Sequence, residues 1–423
     1  MRSGQGRETY PRRLVAKNTT QLLGDTAVIG AGIVGLSVAW HLRGSRRVIV
    51  VDKEPAPALH QTGRNSGVVH SGVYYPPGSS KARLCLDGRE LLERFCRDHR
   101  VQIHTSGKLI GAADQDEVTS LERLGDRGEA HGIKGLELLG ADAVRRLEPA
   151  VDVVSALLVP TTGLVDFRVI SLAMARDIQE AGGLILYSFE VAAVDSHGSR
   201  VTITARDGRE LMVESAVNCA GLYSDRIARL AGASPSVRIV PFKGLYYGVV
   251  YRDLVSRPIY PVPDPEFPFL GVHLTPSVGG TLVAGPNAVL ALGREAYTRH
   301  DRNLRETLAL AGYPGFWRMA GRYWRTGLGE IHRTMSRRAF ARSIRRMIPT
   351  FRDEWLEPAG CGIRAQAVDP RGKLVDDFSF ARSGSFVHVI NAPSPAATAS
   401  LAIAQRIVDM LNGPIELASV PNG

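Results

Sequence analysis

The chain has 423 residues, too many for one small core, and about 100–200 residues per domain gives two or three domains. Hydrophobic residues make up 44% and charged residues 22%, which excludes a chain disordered over most of its length. The net charge of +10 favours anionic partners, but it is nearly all arginine, with no basic block interleaved with aromatics, which speaks against nucleic-acid binding.

The first two dozen residues are Arg-rich and polar, without the apolar run of a secretory signal, and residues 1–24 are expected to form a disordered extension. Thr26 to Leu42 carries no Asp, Glu, Lys or Arg, but three glycines at turn spacing make it a strand, turn and helix rather than a membrane span. The expected elements are a buried strand Thr26–Ile29, a helix from about Ile33 to Arg43, and a β-branched strand from Arg47 to Val51. A long Gly/Asn/Ser/His-rich loop, Gln61 to Pro77, follows, and loops of that length usually carry function. Ser80 to Arg100 is an amphipathic helix, with Leu84, Leu91, Leu92 and Phe95 on one face. Lys108 to Leu158 mixes short strands with helix signals. Val169 to Ala181 is a helix stopped by Gly182-Gly183. Successive strands are expected at 184–187, 189–195, 200–205, 211–213 and 216–220, with an Asp207-Gly208 hairpin turn. Pro241 to Gly293 reads as a twisted antiparallel sheet, Leu304 to about Ile348 as mostly helical, and Gly362 onward as short strands before a helix Ala396–Leu411. The four cysteines, Cys85, Cys96, Cys219 and Cys361, have neither disulfide nor metal spacing, so no metal is expected and a reducing cytoplasm fits.

The first chemical signal is Gly30-x-Gly32-x-x-Gly35. Gly30 permits the tight turn, Gly32 lets backbone approach a pyrophosphate, and Gly35 lets the helix pack on its strand. A lone G-x-G-x-x-G is weak, but here it lies between an expected strand and helix, with Asp52 about 20 residues on to bind ribose hydroxyls. The carboxylate disfavours a 2′-phosphate, leaving NAD or FAD. The run from Gln61 to His70, small residues and backbone donors directly after the second strand, suits a flavin ring and favours FAD.

Several long motifs then point to a family. They are Gln61-Thr-Gly63, Asn65 to Tyr75, Pro77-Gly-Ser79, Pro160-x-x-Gly-Leu-Val165, Cys219-Ala-Gly221, Tyr260 to Pro265, Pro268 to Thr275, Gly285-Pro-Asn-Ala288, Gly362 to Ala367, Lys373 to Phe378 and Asn391 to Thr398. With these the chain, from Asp25 to the last helix, closely resembles the L-2-hydroxyglutarate oxidase/dehydrogenase family of D-amino-acid-oxidase-like flavoproteins. Asp52 departs from the Glu usual there, Lys243 stands where Arg is frequent, and Leu245 where an acidic residue is common.

The resemblance implies a mixed α/β (α+β) fold: a glutathione-reductase-like FAD-binding domain from segments 25–106, 156–236 and 355–415, and a substrate domain on a twisted, mostly antiparallel sheet from 107–155 and 237–354. Flavin contacts are expected from Gly30, Gly32, Gly35, Asp52, Thr62, Asn65, Ser66, Gly67, Val191, Ala220, Gly221, Ser394, Ala396 and Ala397. The reaction implied is oxidation of L-2-hydroxyglutarate or a similar 2-hydroxy dicarboxylate, with electrons passing to oxygen or a quinone. His70 is the first candidate for the base; the other readings of it are a loop brace or a covalent flavin anchor. His273, alternating with apolar residues on a strand, is the second, against a plain core histidine. Arg364 is the expected carboxylate clamp, because a guanidinium pairs a carboxylate bidentately. Lys243 and Tyr260 are weaker candidates for the distal carboxylate, and Asn287 is a further candidate for substrate contact. Alternatives are a relative acting on another hydroxy or amino acid in specialised metabolism, or a flavin-binding protein without turnover. The location expected is cytoplasmic, with peripheral contact on the inner membrane aided by positive charge.

Overall fold

The computed structural model describes residues 24–197, 200–263, 271–298 and 301–413. The expected extension, but for Gly24, and the stretch 264–270 of the Tyr260–Thr275 motifs lie outside them. The first unit is as expected: β1 (Thr26–Ile29), α1 (Ile33–Leu42) and β2 (Val48–Val51). β1 and β2 are parallel and fully buried, which is why they read as unbroken β-branched runs rather than alternating ones. They sit inside a six-stranded sheet whose other members are Leu184–Leu186, Ser215–Asn218, Phe386–Asn391 and Ser379–Ser383. Only the last of these, at the edge, runs antiparallel.

α1 carries no Asp, Glu, Lys or Arg and is buried on nearly every side, because helices pack on it from several directions. Leu36, Val38 and Ala39 meet Met174 of helix Phe167–Glu180 and Ile403 and Ile407 of helix Ser400–Asn412 in one core. Against the other face of the sheet lies a meander of Val191–His197, Arg200–Ala205 and Glu210–Val213. The expected turn joins its last two strands, with Gly208 at φ +86°.

The second body is a nine-stranded, mostly antiparallel sheet. The strands Arg238–Val249, Ile259–Pro261, His273–Pro276, Leu282–Gly285 and Val289–Leu290 realise the sheet expected between Pro241 and Gly293. Lys108–Ala112, Ser155–Val159 and Glu137–Gly140 continue it on one side. Leu356–Val368 pairs along the whole of Arg238–Val249. Thus two strands that open the expected segments 156–236 and 355–415 hydrogen-bond within this second sheet.

Two elements differ from expectation. The segment read as short strands from Gly362 begins as one 13-residue strand, Leu356–Val368. Gly362 reads as a break, yet it is there because a Cβ would lie 2.3 Å from the Arg64 carbonyl oxygen of the flavin loop. The last helix starts at Ser400, not Ala396: Ala396 N–H donates to Pro393 O and Ala399 N–H to Pro395 O, and 394–399 are turns.

Candidate active site

One cavity of about 850 Å³ runs between the two sheets, near the upper end of the ~300–1,000 Å³ typical of ligand and cofactor sites. Its nucleotide end is built by the turn between β1 and α1. Gly30 has φ +112°, and a Cβ there would lie 2.5 Å from Cys219 O. A Cβ on Gly35 would lie 1.9 Å from Gly30 O, so this glycine sets how closely α1 packs on its own turn. Gly32 caps α1 without a side chain, and Gly32, Ile33 and Val34 all wall the cavity, so the positive end of the helix dipole faces it. Asp52 lies beside them. Its carboxylate accepts from Ala31 N (2.6 Å) and Glu54 N (2.8 Å), while burial raises its pKa. Thr62 Oγ1 accepts from Ile33 N at 3.0 Å, joining the flavin loop to the first turn of α1. Val191, Ala220 and Gly221 complete this end.

Beside the cavity wall, Glu54, His60 and Glu295 hold three ligand-type atoms within 4.8 Å of one another. The Lys53 ammonium already pairs with both Glu54 and Glu295 there, so the charge balance of a metal site is supplied by lysine.

The other end is walled by one face of the second sheet. Register shows why. Tyr260 pairs with Ile110, two residues from Lys108, and by the Ile259–Leu274 pairing it stands opposite His273. His273 pairs with Gly285, which by the Tyr247–Ala284 pairing faces Tyr246. Phe242, on the same face as Tyr246, pairs with Arg364. Side chains alternate along strands, so Lys108, Tyr260, His273, Tyr246 and Arg364 share one face. The His273 ring stacks on Tyr260 at 3.9 Å between centroids and 15°.

His273 Nδ1 lies 2.8 Å from Gly271 O. A carbonyl only accepts, so Nδ1 carries the proton and Nε2 keeps a lone pair. Burial foremost, then the Arg364 and Lys108 charges, bring its pKa down to about 3, against the pull of the Gly271 bond. His70 enters from the flavin loop. Its backbone N–H donates to Thr398 Oγ1 at 3.0 Å, Nε2 lies 3.3 Å from Ser394 Oγ, and Nδ1 is buried without a partner. Burial, with Lys108 and His273 nearby, lowers it to about 3 as well. Two neutral imidazoles therefore face the same end. Arg364 Nη1 donates to Asn287 O at 3.1 Å, and burial lowers its pKa while leaving it a cation.

Of the residues expected at the site, Gly30, Gly32, Asp52, Thr62, Asn65, Ser66, His70, Val191, Ala220, Gly221, Tyr260, His273, Arg364, Ser394, Ala396 and Ala397 wall this cavity. Asn65 spends its side chain on the loop itself, bonding Gln61 O, Thr62 O and Gly67 N. Gly67, at φ +72°, accepts from Val165 N and stands behind the wall. Lys243 and Asn287 do not wall it. Lys243 pairs with Ile363, one step from the Phe242–Arg364 pair, so it points to the opposite face, where Nζ donates to Thr298 O at 2.6 Å. Asn287 is a buried strut: Oδ1 accepts from Leu245 N, Nδ2 donates to Thr334 Oγ1, and its carbonyl holds Arg364. Sequence reasoning passed over Tyr74, Tyr75, Tyr246 and Arg64, which wall the cavity, and Lys108, which abuts it. Tyr74 and Tyr75 fell within a quoted motif and carried a signal; Tyr246, Arg64 and Lys108 fell in none.

The residues at the nucleotide end fit a flavin dinucleotide: a helix start walled by glycines whose Cβ atoms would collide, and a carboxylate beyond the second strand. A family model described as FAD dependent oxidoreductase matches residues 25–410. The chain is 39% identical to L-2-hydroxyglutarate dehydrogenase of Escherichia coli (strain K12), covering 94% of this chain and 95% of that one. It is 40% identical to the mitochondrial L-2-hydroxyglutarate dehydrogenase of Homo sapiens, covering 93% and 89%. Among solved structures, L-alpha-glycerophosphate oxidase from Mycoplasma pneumoniae superposes with a TM-score of 0.77 at 21% identity, over 94% of this chain and 97% of that one. Glycine oxidase from Geobacillus kaustophilus gives 0.70 at 17% identity, over 93% and 97%. These two likenesses concern the fold. The match across nearly the whole chain places it in the FAD-dependent oxidoreductase family and, within that, in the L-2-hydroxyglutarate dehydrogenase family.

Proposed function

We propose that this protein oxidises L-2-hydroxyglutarate, or a closely similar 2-hydroxy dicarboxylate, to the 2-oxo acid. The observation that carries the reading is the meeting of two neutral histidines and a buried arginine at one end of a cavity whose other end is a dinucleotide turn. The names of the relatives supply the substrate, and the charges of the site agree with it. FAD, held by the Gly30–Gly35 turn, Asp52, the Thr62–Ser66 loop and the 394–397 turn, supplies the acceptor for the hydride equivalent leaving the carbinol carbon. Arg364 clamps the carboxylate beside that carbon and fixes its orientation. His273 receives the hydroxyl proton at Nε2, the nitrogen left without hydrogen by the Gly271 bond. His70 offers its unpartnered Nδ1 across the site without adding charge.

A substrate anion also offsets the charge of Arg364 near His273 and so raises the basicity of His273 in the complex. Steady-state turnover with a dye acceptor tests the reading: L-2-hydroxyglutarate should yield the 2-oxo acid, and absence of product at saturating substrate would remove it.

The electrons go to a membrane quinone rather than oxygen in this reading, and the protein is cytoplasmic and peripheral on the inner membrane. No helix among the described residues is long and apolar enough to cross a membrane. Helix Pro314–Met335 instead shows solvent a stripe of Trp317, Trp324, Leu328, Ile331 and Met335, with exposed Arg318, Arg322 and Arg325 beside it. Apolar and cationic residues so interleaved suit an anionic lipid surface.

A further inference from the structure

Lys108 is 1% exposed, yet no carboxylate offsets its charge among the described residues. Its Nζ lies 4.0 Å from the centroid of the Tyr74 ring and 5.2 Å from that of Tyr260, and both rings wall the substrate end of the cavity. The Tyr74 hydroxyl is buried without a hydrogen-bond partner, as is His70 Nδ1. A buried, unpaired ammonium is expensive, and so is each orphaned polar atom. Ring faces offset part of that cost, not all of it. Three such groups gathered at one place mark where an anion belongs.

The placement across the sheet is informative too. From Leu356–Val368, which carries Arg364, the strand order runs through Arg238–Val249, Leu282–Gly285, His273–Pro276 and Ile259–Pro261 to Lys108–Ala112. His273 stands between the two cations, three strands from one and two from the other. Both charges act on its imidazole. A carbinol held at His273 has a cation on either side, as a molecule with a carboxylate at each end requires.

We propose that Lys108, together with the Tyr74 hydroxyl, binds the distal carboxylate of the substrate and makes the enzyme selective for dicarboxylates. The inference rests on the reading of the substrate given above. In the substrate-free protein burial lowers Lys108 to about 7, so near neutral pH the amine can shed its proton, and an arriving carboxylate restores and fixes the ammonium.

The test compares the holoenzyme with Lys108→Met and Tyr74→Phe on two substrates, L-2-hydroxyglutarate and L-2-hydroxyvalerate, which has the same chain length but no distal carboxylate. The wild-type preference for the dicarboxylate tests the substrate reading by itself; the variants test this proposal. A hydrogen bond to a charged group is worth enough that Lys108→Met should lower kcat/KM for the dicarboxylate about 10- to 100-fold, mainly through KM. The monocarboxylate should change by less than about 3-fold, an allowance for ordinary context effects. Tyr74→Phe should erode the same preference by a smaller factor. Removing an unpaired buried charge should leave flavin content intact and Tm equal or higher. A preference retained in both variants, or equal losses on both substrates, would overturn the proposal. Were Lys108→Met not to fold, Tyr74→Phe decides alone: loss of preference supports the proposal and retention overturns it.

Discussion

In the proposed reaction His273 is the residue on which the chemistry turns. Its tautomer is fixed by a carbonyl, its ring is held flat against Tyr260, and burial keeps it uncharged. Replacement by Gln should therefore lower the rate of flavin reduction by about 10²–10⁴ while flavin remains bound, measured by stopped-flow absorbance. Protonation is unfavourable until pH approaches about 3, so kcat/KM should show no histidine limb between pH 7 and 6; a steep fall there would show that His273 titrates normally. At this scale the sequence was uneven. That His70, His273 and Arg364 wall the cavity was legible because they sat in long, specific motifs. Lys243 was misread: charge and neighbourhood suggested a clamp, but strand parity sends it to the far face, and parity is known only once the register is. Lys108 opens a strand after Gly107, where a lysine ordinarily reads as solvated, and only the stacking of Tyr74 and Tyr260 over it shows otherwise.

Among elements, the β1–α1–β2 unit was readable almost residue by residue, because a local motif dictates it. The long strand Leu356–Val368 was not, since its Gly362 answers to Arg64, some 300 positions away in sequence. A buried ion pair is among the contacts that join the elements of the nucleotide end to those of the second sheet. Arg294 makes a two-pronged pair with Asp225, Nη1 to Oδ1 at 2.6 Å and Nη2 to Oδ2 at 3.1 Å, and both are buried. Asp225 lies on helix Ser224–Leu230 and also accepts from Ile239 N in the long strand of the second sheet. The arginine holds its carboxyl below the usual range despite burial. Arg294→Leu leaves that buried carboxylate with only Arg229, at 3.1 Å, and Ile239 N–H as partners and should cost up to about 3–5 kcal/mol, read as a lower urea midpoint. Adding Asp225→Leu should recover part of the loss; a single variant as stable as wild type would show the pair to be energetically idle.

At the scale of the whole molecule, two sheets enclose the cavity and one helical layer turns an apolar, arginine-flanked stripe outward. Leu304 and Leu308 of the preceding helix Leu304–Ala311 are also exposed, at 73% and 63%. If this face meets lipid, the protein should float with vesicles containing anionic phospholipid at low salt, bind less as salt rises, and lose binding in Trp317→Glu/Trp324→Glu with dye-linked turnover unchanged. Equal flotation of the variant would place contact elsewhere. The mixed α/β class and the flavin were legible early, since a turn and a loop announce them; the strand pairings that build the second sheet over the cavity were not, because they join distant segments. The most direct test of the account is anaerobic titration of the yellow holoenzyme. L-2-hydroxyglutarate should bleach the flavin stoichiometrically and release one 2-oxo acid per flavin, while the D-isomer and L-glutamate leave the spectrum unchanged. Bleaching by L-glutamate, or by neither acid, would contradict it.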